Sequence, residues 1–245
     1  MPYANNQGVQ IHYEVSGEGL PLVLQHGFNA SFMGWHEFGY IEKLHDKCRL
    51  ILMDARGHGA SDKPHDTKDY ALEQLVSDVT AVMDDLHIKK AHYLGYSMGG
   101  WIGFGMAKYA AHRLNSLIIG GAQPYGRNFE QVRKLLSSGL EAWMSVVTGW
   151  GIYSSAALAR MRNNDAKALL AVIQDRPDMS NILLSMTMPC LLYAGGADDQ
   201  CDLMERCTKE LSNATFVSLP GLDHFEVIPR SDLVAPHIIQ FLASL

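Results

Sequence analysis

Ser97 lies in the segment Gly95-Tyr96-Ser97-Met98-Gly99-Gly100, after an apolar run that reads as a strand (Ala91–Gly95) and before an apolar helix pattern (Trp101–Tyr109). In a chain with 22 glycines a bare G-x-S-x-G is a weak pattern. The strand–turn–helix context makes it specific. Such a turn strains the serine backbone and lifts the hydroxyl above the sheet, and the helix N-terminus beneath favours developing negative charge. Gly95 and Gly99 remove side chains that would clash across the turn. A serine hydroxyl is a poor nucleophile until a base takes its proton. Of the 11 histidines, His224 and His237 fall in the last third of the chain. His224 sits in the turn-rich loop Pro220–Phe225, just after the apolar run Thr215–Leu219, whereas His237 lies inside the apolar pattern of a final helix. His224 is therefore the expected base. The acid should end a preceding strand, and Leu191–Asp199 supplies it. Asp198 has the favoured spacing from Gly195, Asp199 is the alternative and Asp202 a more distant one. Gly120–Asn128 holds no acid, and Asp223 reads as a residue that shapes its own loop.

Positioning these groups requires a sheet. Val9–Val15 alternates in strand fashion, and Leu22–Gln25, Arg49–Met53, Leu114–Ile119 and Leu191–Ala194 are short apolar runs bounded by Gly or Asp. Central parallel strands have this look. Between them Leu72, Leu75, Val76, Val79, Val82, Met83 and Leu86 mark one apolar stripe of a helix. Leu233, Ile238, Ile239, Phe241 and Leu242 mark a C-terminal helix. The alternation predicts right-handed crossovers and a mostly parallel, doubly wound sheet. Residues 122–187 show no strand. Phe129–Trp143 and Ala156–Gln174 read as helices, so this stretch is expected to be a helical lid inserted into a core of residues 1–121 and 188–245.

Composition narrows the function. The chain has 245 residues, 47% of them apolar, enough for one sizeable core. Net charge is −6, and no basic run marks a nucleic-acid partner. No apolar run approaches the ~20 residues that span a bilayer, and the first residues carry no secretory pattern. Cys48, Cys190, Cys201 and Cys207 lack C-x-x-C spacing. Reduced thiols in a cytoplasmic protein are the expectation.

Nucleophile, acid and base in the order Ser97, Asp198, His224, with Gln25-His26-Gly27-Phe28 and Asp54-Ala55-Arg56-Gly57-His58-Gly59-Ala60-Ser61, closely resemble the α/β-hydrolase family over nearly the whole chain. The resemblance implies an eight-stranded sheet with the lid after the sixth strand. It places the oxyanion hole at the backbone N–H groups of Phe28 and Met98, with His26 bracing that loop and Asp54 and Arg56 tying loops together. It implies ester or lactone hydrolysis through an acyl-enzyme, with a small-molecule substrate and no cofactor or metal. Trp35, Trp101, Tyr125, Phe129, Trp143, Met144, Trp150 and Tyr153 are candidates for an apolar pocket. Carbon–carbon bond hydrolases and cofactor-free perhydrolases share the pattern; Ser97 excludes dehalogenases, which use an aspartate nucleophile. The elbow also resembles that of a pyruvate-eliminating lyase of menaquinone synthesis, in which an arginine directly follows; Trp101 stands here instead. A hydrolase-fold receptor with little turnover is the reading from another class.

Overall fold

Strand residues alternate between two faces, and both faces are apolar. Val23, Ile51, Met53, Leu117, Ile119 and Leu192 point to one buried cluster; Leu22, Leu24, Leu50, Leu52, Ile118 and Leu191 point to another. A sheet with two apolar faces must be covered on both sides. The computed structural model, which describes residues 2–150 and 152–245, shows how.

Eight strands form one sheet: β1 (Tyr3–Asn6), β2 (Val9–Ser16), β3 (Leu20–Gln25), β4 (Cys48–Met53), β5 (Ala91–Tyr96), β6 (Leu114–Gly120), β7 (Cys190–Gly195) and β8 (Ala214–Leu219). Their order is β1-β2-β4-β3-β5-β6-β7-β8. The pairs β1·β2 and β2·β4 are antiparallel and the rest parallel. The helices are α1 (Met33–Glu37), α2 (Tyr40–Leu44), α3 (Leu72–Asp85), α4 (Met98–Tyr109), α5 (Glu130–Ser137), α6 (Leu140–Gly149), α7 (Ser155–Arg162), α8 (Ala166–Val172), α9 (Cys201–Glu210) and α10 (Ser231–Ala243). Apolar residues of α3, α4 and α9 join the first cluster. Those of α1, α2 and α10 join the second.

The chain runs from β3 outward to β4, then back past β3 to β5. In parallel sheets such a reversal opens a crevice beyond the strand C-termini. The loops after β3, β5, β6, β7 and β8 all emerge there.

The stretch between β6 and β7 departs from the sequence reading in one respect: each of the two expected helices is two. Gly139, at φ 113°, ends the first run and separates α5 from α6. Asn163–Asp165 separates α7 from α8. The Asp165 side chain accepts the N–H groups of Lys167 and Ala168 and so starts a new helix. Ser154 caps α7 in the same way. These helices have a core of their own, built on Leu136, Trp143, Met144, Val147, Met161, Leu169 and Ile173. The four cysteines are unpaired. Among the described residues no helix is long and apolar enough to cross a membrane.

A buried ion pair fastens the loop after β4 to α3. Arg56 Nε and Nη2 donate to the two Asp78 carboxylate oxygens, each at 2.6 Å. Their side chains are 3% and 2% exposed. Removing one partner of such a pair leaves a buried charge uncompensated. Asp78→Asn is expected to lower unfolding stability by about 3–5 kcal/mol, read from the urea midpoint. A loss below about 1 kcal/mol would contradict this role.

Candidate active site

Ser97 joins β5 to α4 with φ 53° and ψ −108°. A residue with a side chain adopts such a backbone only where its surroundings enforce it. Here they do. A Cβ on Gly95 would lie 2.2 Å from Gly99 O, and one on Gly99 would lie 2.1 Å from Gln25 O. The turn therefore closes only with glycine at both places. The Ser97 N–H donates to Gly120 O at 2.8 Å, which ties the turn to the end of β6.

The loop after β8 brings His224 over the serine. His224 Nε2 lies 3.0 Å from Ser97 Oγ, and Nδ1 lies 2.8 Å from Asp198 Oδ2. The Asp198 side chain is fully buried and that of His224 is 17% exposed. Burial alone would raise the Asp198 carboxyl. The hydrogen bond and charge of His224 and the Gln200 N–H outweigh it and hold the group below the usual carboxylate range. Asp199 turns away toward Arg127 at 3.4 Å, and burial and Asp198 push its carboxyl up. Asp223 accepts the N–H groups of Phe225 and Glu226 within its own loop. The Tyr96 hydroxyl, just before the serine, donates to His224 O.

Ser97 and His224 open into a cavity of about 200 Å³. Of the expected pocket residues, Trp35, Phe129, Trp143, Trp150 and Tyr153 line it, as do His26, Gly27 and Phe28. Aromatic contacts join its walls. Trp143 meets Phe28 with ring centroids 5.9 Å apart, and Trp150 stacks on Phe225 at 3.5 Å. Trp101 and Tyr125 are corrections, because neither lines the cavity. Trp101 lies behind the wall, its ring carrying the Arg176 guanidinium at 4.8 Å. Tyr125 faces α9, donating to Glu210 at 3.1 Å with Arg206 over its ring. Met144 is fully buried in the core of the insertion.

Residues 21–162 match the model of the alpha/beta hydrolase fold family. The chain belongs to that family. It is similar, at 26% identity over an alignment that covers 96% of each chain, to a putative 2-succinyl-6-hydroxy-2,4-cyclohexadiene-1-carboxylate synthase of Bacillus subtilis (strain 168). A 3-oxoadipate enol-lactonase of Acinetobacter baylyi is 32% identical over 137 residues, 52% of this chain and 50% of the relative. Among solved structures, the enol-lactonase from Burkholderia xenovorans LB400 superposes with a TM-score of 0.87 at 24% identity, covering 99% of this chain and 100% of that one. That likeness speaks for the fold.

In this α/β-hydrolase the loop after β3 is braced by two buried imidazoles. His26 Nδ1–H donates to Gly27 O at 2.7 Å while Nε2 accepts the Ala55 N–H at 3.1 Å. His58 Nδ1–H donates to Arg56 O at 3.1 Å while Nε2 accepts the Asn29 N–H at 3.0 Å. Each ring must be neutral to play both parts. Asp54 collects the N–H groups of Phe32 and Ala60 and the His12 ring, and so ties the β2, β3 and β4 ends together. Asn164, ahead of α8, donates to Asn29 O at 3.1 Å and accepts the Gly59 N–H at 3.2 Å. The sequence reading did not single out Asn164, Arg127 or Arg176. No signal sets them apart, because the stretch holds many other polar and charged residues, such as Arg133, Glu141, Arg160 and Asp165.

Burial, with nearby His26, pushes His58 down to about 3. The unfolded chain therefore binds this proton near pH 6.5 and the folded hydrolase does not, so stability falls as pH drops below about 6.5. At pH 5 His58 alone is expected to cost about 2 kcal/mol relative to pH 7.5. Urea titrations of the parent and His58→Gln proteins at both pH values check this. The variant should lose about that much less on acidification, and equal losses would contradict the account.

Proposed function

We propose that this α/β-hydrolase cleaves carboxylic ester or lactone bonds of small to medium, largely apolar substrates through an acyl-enzyme. The observation that carries the reading is the unbroken relay of 3.0 Å from Ser97 Oγ to His224 Nε2 and 2.8 Å from His224 Nδ1 to Asp198. Ser97 attacks the carbonyl carbon as His224 Nε2 takes its proton. The tetrahedral intermediate collapses as His224 returns that proton to the leaving alkoxide. Asp198 accepts from Nδ1–H, fixes the tautomer that leaves Nε2 free and stabilises the imidazolium. Water then enters by the same route and releases the acid.

The oxyanion needs donors that are already in place. Met98 is the first residue of α4, so its N–H is one of the helix-end donors without an intrahelical partner. Phe28 follows Gly27 in the braced loop on the cavity wall. Two such backbone donors act where the charge develops, and each is worth about 10²–10³ in rate. The helices α5–α8 act as a lid that excludes water and presents Phe129, Trp143 and Trp150 to the substrate. An enol-lactonase among the relatives is in keeping with this chemistry.

Hydrolysis of p-nitrophenyl esters from acetyl to decanoyl tests the reading. The protein should turn over the shorter members, and Ser97→Ala should lose about 10⁴-fold or more in kcat with KM little changed. Activity that survives in Ser97→Ala, or no hydrolysis at any chain length, would overturn it.

A further inference from the structure

The proposed reaction leaves one charge in the cavity without a task. Arg127 and Arg176 both line the cavity that holds Ser97 and His224. They are far apart in sequence, one where the chain leaves β6 and one where it returns from α8. Their backbones form an isolated antiparallel bridge, Arg127 N–H to Arg176 O at 2.9 Å and Arg176 N–H to Arg127 O at 2.8 Å. The bridge brings the two guanidiniums to one ring. Arg176 lies 4.8 Å and Arg127 5.3 Å from the centroid of Phe129. Arg176 also lies 4.8 Å from the centroid of Trp101. The Trp101 backbone N–H donates to Ser97 O at 3.0 Å, so the residue that carries this ring lies one helical turn along α4 from the serine.

Two cations at one ring repel each other. Arg127 is offset by Asp199 at 3.4 Å. Among the described residues no acid pairs with Arg176. Its neighbours are engaged elsewhere: Asp175 binds Arg133 at 2.6 Å, and Asp178 accepts the Ser180 N–H at 2.7 Å. Burial, then Arg127, pushes the guanidinium down to about 9, which leaves it cationic at neutral pH. The chain as a whole is acidic, at −6, so a positive cavity wall is a local arrangement. A planar fork of N–H donors with both rings behind it matches a carboxylate.

We propose that Arg176, assisted by Arg127, forms a carboxylate-binding subsite in the cavity that holds Ser97, and that the substrate carries a carboxylate on an otherwise apolar frame in addition to its scissile carbonyl. The substrate class rests on the hydrolytic reading above; the anion subsite does not. The ligand is thus anchored at two points, the carboxylate at Arg176 and the reacting carbonyl at Ser97. A neutral ester of the same length has only the second anchor.

Calorimetric binding to Ser97→Ala protein separates the two claims, because nothing is turned over. The probes are monomethyl succinate, glutarate and adipate, each set against the neutral methyl ester of the monocarboxylic acid of equal chain length. The best half-ester should bind at least about 10-fold more tightly than its neutral counterpart. Adding Arg176→Gln should abolish most of that preference, and Arg176→Lys, a point charge without the fork, should restore part of it. Equal or tighter binding of the neutral esters throughout would overturn the subsite, as would a preference unchanged by Arg176→Gln in a protein with an intact circular-dichroism melt. If Arg176→Gln does not fold, the comparison of half-ester and neutral ester decides alone. An anion preference without Ser97-dependent turnover of the same half-esters would sink the hydrolytic reading and keep the subsite. Turnover of neutral esters without any anion preference would do the reverse.

Discussion

The backbone of Ser97 is the constraint on which the rest depends. At φ 53° and ψ −108° it costs on the order of 1–3 kcal/mol, and β5, α4, β3 and β6 together hold it there. Gly99 lies so close to Gln25 that a methyl group has no room. That closeness sets β3 and β5 side by side, directs α4 back over the sheet and points the hydroxyl into the crevice beyond the strand ends. The Ser97–Gly120 bond then ties the same turn to β6, where the insertion leaves.

Around that turn, buried polar groups hold loops rather than perform chemistry. Asp54, His26, His58 and the Arg56–Asp78 pair use their hydrogen-bonding capacity on backbone groups and on one another. The cost of burying them is met by complete pairing. The effect is to fix the loop that presents Phe28 without an element of regular structure. The opposite wall is held by aromatic contact. Trp150 on Phe225 and Trp143 against Phe28 join the insertion to the histidine loop and to the loop after β3. The same helices therefore shape the cavity and meet both sides of the proposed relay.

Seven of the eight strands and the helices α3, α4 and α10 were legible because each carries an apolar run, an alternation or an apolar stripe in its sequence. The first strand, Tyr3–Asn6, was not, because its sequence YANN is polar and it pairs at a sheet edge. Its signal is the turn at Gln7-Gly8, where both residues take positive φ. Ser97, Asp198 and His224 were legible because elbow, strand end and post-strand loop are local patterns in a fixed order. Pocket lining was not local. Trp101 and Tyr125 have the same apolar character as Trp143 and Trp150, and only the packing of the insertion decides which ring faces the cavity. Arg127 and Arg176 meet through a backbone bridge that no spacing announces.

The central claim is that His224 and Asp198 make Ser97 a nucleophile. Intact-protein mass spectrometry after treatment with a fluorophosphonate tests it directly, since the reagent phosphonylates an activated serine and needs no knowledge of the substrate. The account predicts one adduct per chain, mapped to the peptide that contains Ser97, absent in Ser97→Ala and formed far more slowly in His224→Ala. No adduct, or one on another residue at an unchanged rate in His224→Ala, would contradict it.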